Sequence, residues 1–261
     1  MRKKHLILLL FLTLAPLTLL AEDSVKSSDE KIEVSDPIEP VNRGIFWFND
    51  RLDVHVLEPV ARGYDKVLPD RVQDSIGNFF NNLRFPSVFV SNLFQGEVSD
   101  AFKQSGRFLI NSTVGIAGLF DVATDMGLPI DEQDFGLMLQ RNGVPAGAYI
   151  VIPFLGPSNV RDAVGRVADA ALSPIYYVGS IFDLTDNQAW GVSIGAKALD
   201  LVDQRADMLD TVKAAKESAV DYYLFTQGAY TQYREGLVKG RSVQKTQESA
   251  DPLADPLDDL Q

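Results

Sequence analysis

The 261-residue chain contains no cysteine. That excludes disulfide staples, a cysteine-ligated zinc or iron–sulfur centre, and a thiol nucleophile. It also excludes a diacylglyceryl-cysteine anchor. Histidine is nearly as scarce, with only His5 and His55. No His-Glu-x-x-His spacing exists, and a multi-imidazole metal site would lack ligands. Beyond the first twenty residues there is no run of eighteen apolar residues, so no conventional spanning helix is expected. Sustained period-two alternation with hairpin turns is missing too, which argues against an outer-membrane barrel. The GxSxG elbow, the phosphate-cradling loop and the dinucleotide fingerprint are absent. Basic residues are in deficit, 24 Lys and Arg against 36 Asp and Glu, for a net charge of −12. That excludes a mainly electrostatic nucleic-acid binder and opposes attraction to anionic headgroups.

Residues 1–21, MRKKHLILLLFLTLAPLTLLA, join a positive start to an apolar run. They read as an export signal peptide cleaved after Ala21, the competing reading being an uncleaved anchor. Residues 22–35 form an acidic polar stretch, read as a flexible leader. Residues 241–261 end in DPLADPLDDLQ and read as a disordered acidic tail, the competing reading being a docking peptide. Leader and tail each hold two basic and five acidic residues, so the body 36–240 carries only −9.

The body's pattern is mostly helical, and nothing inside it resembles a linker, so one domain over 36–240 is expected. Ile45, Phe46, Phe48, Leu52 and Val56 recur at mixed three- and four-residue steps, and Pro69 closes that region. Val72–Leu83, Pro86–Phe94 and Glu97–Ser112 read as helices; in the last, Val98, Ala101, Phe102, Phe108 and Leu109 share much of one face. Ile116–Met126 reads as another, with the Gly115-x-x-Gly118 pair assigned to helix packing. Asn159–Leu172 carries Val160, Val164, Val167, Ala168 and Ala171 on one side. Periodicity from Ile194 to Tyr223 fits one long helix, or two with a bend near Asp210. Between Gly143 and Pro157 the centre Tyr149, Ile150, Val151, Ile152, Pro153, Phe154 and Leu155 is very apolar but too short to cross a bilayer. Pro153 would interrupt a helix or a central strand. Two readings stand: a buried loop or edge strand, or an apolar segment that dips into a leaflet or lines a lipid path.

Chemistry-bearing residues are sparse. His55, between Val54 and Val56, reads as a helix-face or core residue. Asp50 and Asp53 lie three apart, and Asp121 and Asp125 four apart, spacings that a glycosidase or a calcium site uses on a helix. In an acidic chain such pairs arise readily, and a structural role is the competing reading. Asp131, Glu132 and Asp134 cluster in a loop, where Asp134 can cap a helix. Amides and arginines beside aromatics stand out: Asn49 after Phe48, Asn78 before Phe79, Arg107 before Phe108, and Asn111. Such groups need partners when buried. They can tie short helices together or line a polar path inside an apolar exterior.

Several ordered pieces carry a resemblance: DPIEPVNRGIFWFND at 36–50, EPVARGY at 58–64, NFFNNLRFP at 78–86, SNLFQG at 91–96, GRFLINSTVGIAGLFDVAT at 106–124 and DFGLMLQRNGVPAGAYIVIPFLGPSNVRDAVG at 134–165. In this order they resemble the MlaA or VacJ family of outer-membrane phospholipid-transport lipoproteins. The resemblance implies a mostly α fold: a single ring-like helical domain with amphipathic membrane-embedded helices and a central pore. It implies no enzyme and no cofactor. The implied role is removal of mislocalised phospholipid from the outer leaflet and delivery to a soluble periplasmic carrier, which feeds an inner-membrane ATPase-driven transporter. Trimeric porins are the implied lateral partners. By that likeness Phe46, Phe48, Asn49 and Asp50 support the ring, and Tyr149–Leu155 forms the pore or its gating hairpin. Arg161 and Asp162 form an ion pair or capping network near it, and Arg107 and Asn111 brace adjacent helices. The departure is the anchor: LTLLAEDS stands where the family carries a lipidated cysteine, so retention by an apolar rim, with a porin, is expected instead. A porin-binding scaffold that moves no lipid, and an envelope hydrolase using paired carboxylates, are the alternatives.

Overall fold

Proline marks where several helices begin. Pro40, Pro59 and Pro86 each sit in the first turn of a helix, where a missing N–H leaves no bond unmade. The computed structural model describes residues 34–250, with side chains as far as Gly240. The signal peptide, nearly all of the leader, and residues 251–261 of the tail lie outside the described residues. The elements are α1 (Glu39–Leu52), α2 (Glu58–Val67), α3 (Asp70–Leu83), α4 (Phe85–Phe94), α5 (Val98–Thr113), α6 (Val122–Asp125) and α7 (Phe135–Arg141). There follow β1 (Tyr149–Ile152), β2 (Gly156–Asn159), α8 (Val160–Leu172), α9 (Val178–Ile181), α10 (Asp186–Asp207), α11 (Leu209–Ser218) and α12 (Tyr222–Ala250). A π-helical turn, Asp53–Leu57, joins α1 to α2. It lies just ahead of Pro59, whose ring and absent N–H disturb the ladder of a continuous helix, and the widened turn accounts for the mixed apolar steps. Among the described residues, no helix is long and apolar enough to cross a membrane.

Much of each amphipathic stripe faces outward, although Ala101 and Phe108 of α5 turn inward. On α5, Phe102 and Leu109 are 68% and 61% exposed, whereas Arg107 and Asn111 are buried at 8% and 4%. On α8, Val164 and Val167 are 60% and 71% exposed, whereas Arg161 and Asp162 are buried. Trp190 and Ile194 repeat the pattern on α10, above buried Asp203 and Arg205. The conventional apolar core is correspondingly small. One cluster joins Ala61, Ala206 and Leu209, and another joins Tyr149, Val151 and Tyr223 with Ile45, Phe46 and Tyr230 against it. Helices that bury their polar side and show their apolar side suit an apolar surrounding, not water.

Close helix contacts need glycine at one crossing. A Cβ on Gly165 of α8 would sit 2.4 Å from the backbone nitrogen of Gly136 in α7. A Cβ on Gly136 would meet Arg234 at 2.6 Å and Asp162 at 2.8 Å.

Three elements differ from expectation, and for a fourth, the apolar segment, the strand reading is the one that holds. Residues 116–121 are not helical: Ile116, Ala117 and Gly118 have φ of 52°, 57° and 90°, and the helix spans only Val122–Asp125. The turn is held by Gly118 N–H donating to Asn111 O at 2.8 Å and Phe120 N–H to Gly115 O at 2.9 Å. Gly115 therefore serves a tight turn instead of helix packing, since a Cβ there would lie 2.2 Å from Phe120 O. The apolar segment 149–155 is half of an antiparallel hairpin, pairing Tyr149 with Asn159 and Ile152 with Gly156. Pro153 falls in its turn, where no ladder bond is lost, beside Phe154 with φ of 65°. The run 194–223 breaks twice, at Met208 and again between Ser218 and Tyr222. Finally, α12 passes the Gly240 boundary and ends at Ala250. A polar run can stay helical without a core because its backbone bonds are internal.

Candidate functional site

The hairpin has two differently satisfied edges. One edge of β1 pairs with β2; the other faces α1, which meets it with two asparagines. Asn42 donates from Nδ2 to Tyr149 O at 3.0 Å and accepts the Val151 N–H on Oδ1 at 2.9 Å. Asn49 repeats the contact one step along, donating to Ile152 O at 3.0 Å and accepting the Phe154 N–H at 2.9 Å. The spacing follows from element geometry. Seven helical residues advance about 10.5 Å, and three strand residues advance about 10 Å. An amide is the one neutral side-chain group that donates and accepts side by side, so it can stand in for a neighbouring strand. The aromatic rings follow: Phe48 meets Phe154 edge-on at 5.4 Å, and Phe46 packs on Tyr222 and Tyr223 at 5.4 Å.

The base of the hairpin rests on a buried ionic node. Asp162 accepts from Arg161 Nε at 2.8 Å, Asn159 Nδ2 at 3.0 Å and the Tyr230 hydroxyl at 2.5 Å, with Arg234 Nε 3.0 Å away. Asn159 also caps α8 by accepting the Asp162 N–H at 2.8 Å. Arg234 of α12 reaches on to Asp134, the N-cap of α7, at 2.6 Å and 3.0 Å. These contacts tie β2, α7, α8 and α12 together. Burial alone would push the Asp134 carboxyl up, but the Arg234 bonds outweigh it and hold it below the ordinary value.

Arg107 and Asn111 brace a separate joint. Arg107 binds Asp121 at 2.5 Å, Thr124 Oγ1 at 2.7 Å and Leu128 O at 2.7 Å. Asn111 donates to Asp121 at 3.0 Å and accepts the Ala123 N–H at 2.9 Å. Desolvation opposes the charge on Asp121, yet the bonds from Arg107, Thr124 and Asn111 bring its carboxyl below the ordinary value. Asp50 is likewise not at the hairpin. It pairs with Lys216 at 2.8 Å, beside Asp53, which receives Arg205 at 2.7 Å. Three of the four carboxylates considered for hydrolysis thus hold helices: Asp50 and Asp53 join α1 and the π turn to α10 and α11, and Asp121 caps α6, while Asp125 is exposed. His55 is an exposed helix-face residue whose Nδ1 lies 2.8 Å from Arg51 O. Among the described residues, no group of three or more acidic or histidine side chains is placed to hold a metal ion.

Between α3, α4, α5, α7, α8, α10 and α12 lies a cavity of about 710 Å³. Phe80, Phe85, Phe108, Leu137 and Ile175 supply its apolar wall; Arg84, Arg107, Asp134, Asp162, Asp169 and Lys197 are among its charged groups. Arg166 lines it as well and holds the hairpin's far strand, donating to Leu155 O at 3.3 Å and Pro157 O at 3.1 Å. Of the residues proposed from sequence, Phe46, Phe48 and Asn49 meet Tyr149–Leu155. Arg161 and Asp162 lie at the base, Arg107 reaches the cavity from α5, and Asn111 and Asp50 stand apart from the hairpin. Sequence reasoning missed Asn42, Arg84, Asp169, Tyr230 and Arg234. The seven-residue repeat of asparagine on one helix face was the available signal for Asn42.

Fold and cavity define a class: a mostly helical protein whose apolar side chains face outward around a charged internal cavity. The chain belongs to the MlaA lipoprotein family, whose model matches residues 34–237. It is 36% identical over 210 residues to an uncharacterized protein of Rickettsia conorii, covering 80% of each chain. It is 32% identical over 231 residues to the Intermembrane phospholipid transport system lipoprotein MlaA of Haemophilus influenzae, covering 87% of this chain and 88% of that one. A solved structure described as "Structural basis for maintenance of bacterial outer membrane lipid asymmetry" is similar with a TM-score of 0.67 and 29% identity, over 78% of this chain and 99% of the other.

Proposed function

We propose that this protein removes mislocalised phospholipid from the outer leaflet of the outer membrane and passes it to a soluble periplasmic carrier. The carrier feeds an inner-membrane ATPase-driven transporter, and the outcome is a membrane that stays asymmetric. The single observation that carries this reading is the inverted polarity: exposed Phe102, Leu109, Val164 and Val167 outside, and a charged cavity of about 710 Å³ within. A phospholipid needs such a pair of surfaces, because its headgroup is costly to desolvate and its chains are costly to hydrate. In this reading the helices form a ring in the inner leaflet, the cavity is part of a central pore, and the hairpin borders it. Phe154 and Leu155, 63% and 61% exposed at the hairpin turn, face the acyl chains. The apolar exterior, with a trimeric porin alongside, retains the protein at the periplasmic face without a lipidated cysteine. The pore only equilibrates lipid, so direction comes from the ATPase.

The test is lipid transfer from vesicles carrying a labelled phospholipid, with the protein reconstituted and purified carrier added. Carrier-dependent extraction above protein-free vesicles is expected. A stable porin complex with no lipid flux would overturn the reading in favour of a scaffold.

A further inference from the structure

Most charged side chains in the cavity are satisfied. Arg107 has Asp121, Arg234 has Asp134 and Asp162, Glu132 receives the Tyr233 hydroxyl at 3.2 Å, and Asp200 receives Gln204 at 2.7 Å. Three are different. Arg84 and Lys197 are exposed to the cavity and make no hydrogen bond or ion pair among the described residues. Asp169 is bonded on one side only. Its Oδ1 accepts both the Ser87 hydroxyl and the Phe135 N–H, the latter at 3.2 Å, while its Oδ2 makes no hydrogen bond among the described residues, and the half-buried side chain lines the cavity. Among the described residues, no cation stands within ion-pair distance of it. Arg84 is nevertheless near enough to act on Asp169 electrostatically. A guanidinium and a carboxylate thus face one space, each unpaired, without closing on each other.

The overall charge of the lining is close to balanced. Five cationic and six acidic side chains line the cavity, a net of −1. Most of these charges have partners; of the three set apart, Arg84 and Lys197 each suit a phosphate, and Asp169 alone distinguishes an ammonium-bearing headgroup from an uncharged alcohol. The geometry points to a headgroup subsite for zwitterionic phosphodiesters bearing a primary ammonium, with the Arg84 guanidinium on the phosphate and Asp169 Oδ2 on the ammonium. The inference rests on the transport reading and adds selectivity to it. Guanidinium matches a phosphate with paired N–H donors, and a primary ammonium has the N–H that a carboxylate oxygen accepts. A quaternary ammonium lacks that donor, and a glycerol headgroup lacks the charge. Burial pushes the Asp169 carboxyl up, with the Ser87 bond opposing it, and an arriving ammonium favours the ionised form.

The experiment offers the full chain, in neutral detergent, an equal mixture of phosphatidylethanolamine and phosphatidylglycerol, and quantifies retained lipid by mass spectrometry. The unaltered protein is expected to retain roughly tenfold more of the ethanolamine lipid, the scale of one charge-assisted hydrogen bond. Asp169→Asn keeps an Oδ1 for Ser87 and Phe135 but turns the open position into a donor, so the ratio falls toward one. Asp169→Glu, which keeps the carboxylate, retains a preference. Arg84→Gln removes no side-chain hydrogen bond or ion pair among the described residues and is expected to lower capture of both lipids. Equal retention by the unaltered protein, an unchanged ratio in Asp169→Asn, or unchanged capture in Arg84→Gln would overturn the proposal. Lipid flux without headgroup preference sinks this inference alone; absence of flux sinks the transport reading beneath it.

Discussion

Replacing Asn42 with alanine isolates the clamp on the hairpin. Asn42 is 1% exposed, and its two partners on β1, Tyr149 and Val151, are 2% and 3% exposed. Truncation leaves the Tyr149 carbonyl and the Val151 N–H without their side-chain partner, and it removes the donor to Asp36 Oδ1 at 2.7 Å. Each buried backbone group left unsatisfied costs about 1–3 kcal/mol, so the pair costs about 2–6 kcal/mol. Asn49→Ala makes the same chemical change at the turn end. There Phe154 is exposed and water can replace the lost bonds, so the cost is under about 1 kcal/mol. The two variants are compared by chemical unfolding in neutral detergent and by amide hydrogen exchange. Asn42→Ala is expected to lower stability well beyond Asn49→Ala and to speed exchange at Val151, while Asn49→Ala speeds exchange at Phe154 alone. If Asn42→Ala proves no more destabilising than Asn49→Ala, or Val151 exchange stays as slow as in the unaltered protein, the clamp is not what holds β1.

Other consequences can be checked directly. Gly165→Ala drives a methyl into the Gly136 backbone and is expected to cost about 3 kcal/mol or more, whereas Gly63→Ala, with nothing within 4 Å, is expected to add about 0.5–1 kcal/mol; thermal unfolding separates them. Arg107→Ala strips Asp121 of its cation while both are largely buried, and a loss of about 1.5–3 kcal/mol is expected in denaturant titration. Asp53, Asp121 and Asp134 all have carboxyls held below the ordinary 3.8, so their contribution is complete above that pH and lost as pH falls through their folded values. Acid unfolding beginning below about pH 4, shifted upward in Arg107→Ala, is the expected titration. Val167→Asp lies on an exposed face and should leave unfolding in detergent nearly unchanged while weakening vesicle association in a flotation assay.

The apolar stripes on α5 and α8, the cap at Asp134 and the proline-marked start of α4 were legible in the sequence. Each depends on residues within one or two turns of one another, and local spacing encodes that. The ordered family pieces were legible as well. The turn at 115–120 was not, because its left-handed Ile116 and Ala117 are held by bonds that propensity does not register. The second break, before Tyr222, was also hidden within a continuous apolar period.

What the sequence by itself determined was the mostly helical class, the helices α3, α4, α5 and α8, and which of their residues share a face. The direction each face turns was decided only in the tertiary structure, because periodicity is identical whether a stripe meets a core or a lipid. Arg107 buried beneath an exposed Phe102 is the reverse of a water-soluble helix, and no window of sequence distinguishes the two. The same holds for the polar pairs. Asn42 meets Tyr149 across 107 residues, and Arg234 meets Asp134 across 100. Whether a buried amide or charge is satisfied is a property of the partner that arrives from elsewhere in the chain. Arg84 and Asp169 illustrate the converse: two ordinary surface residue types in sequence, which only the packing of α4 against α8 leaves facing one cavity with their charges unspent.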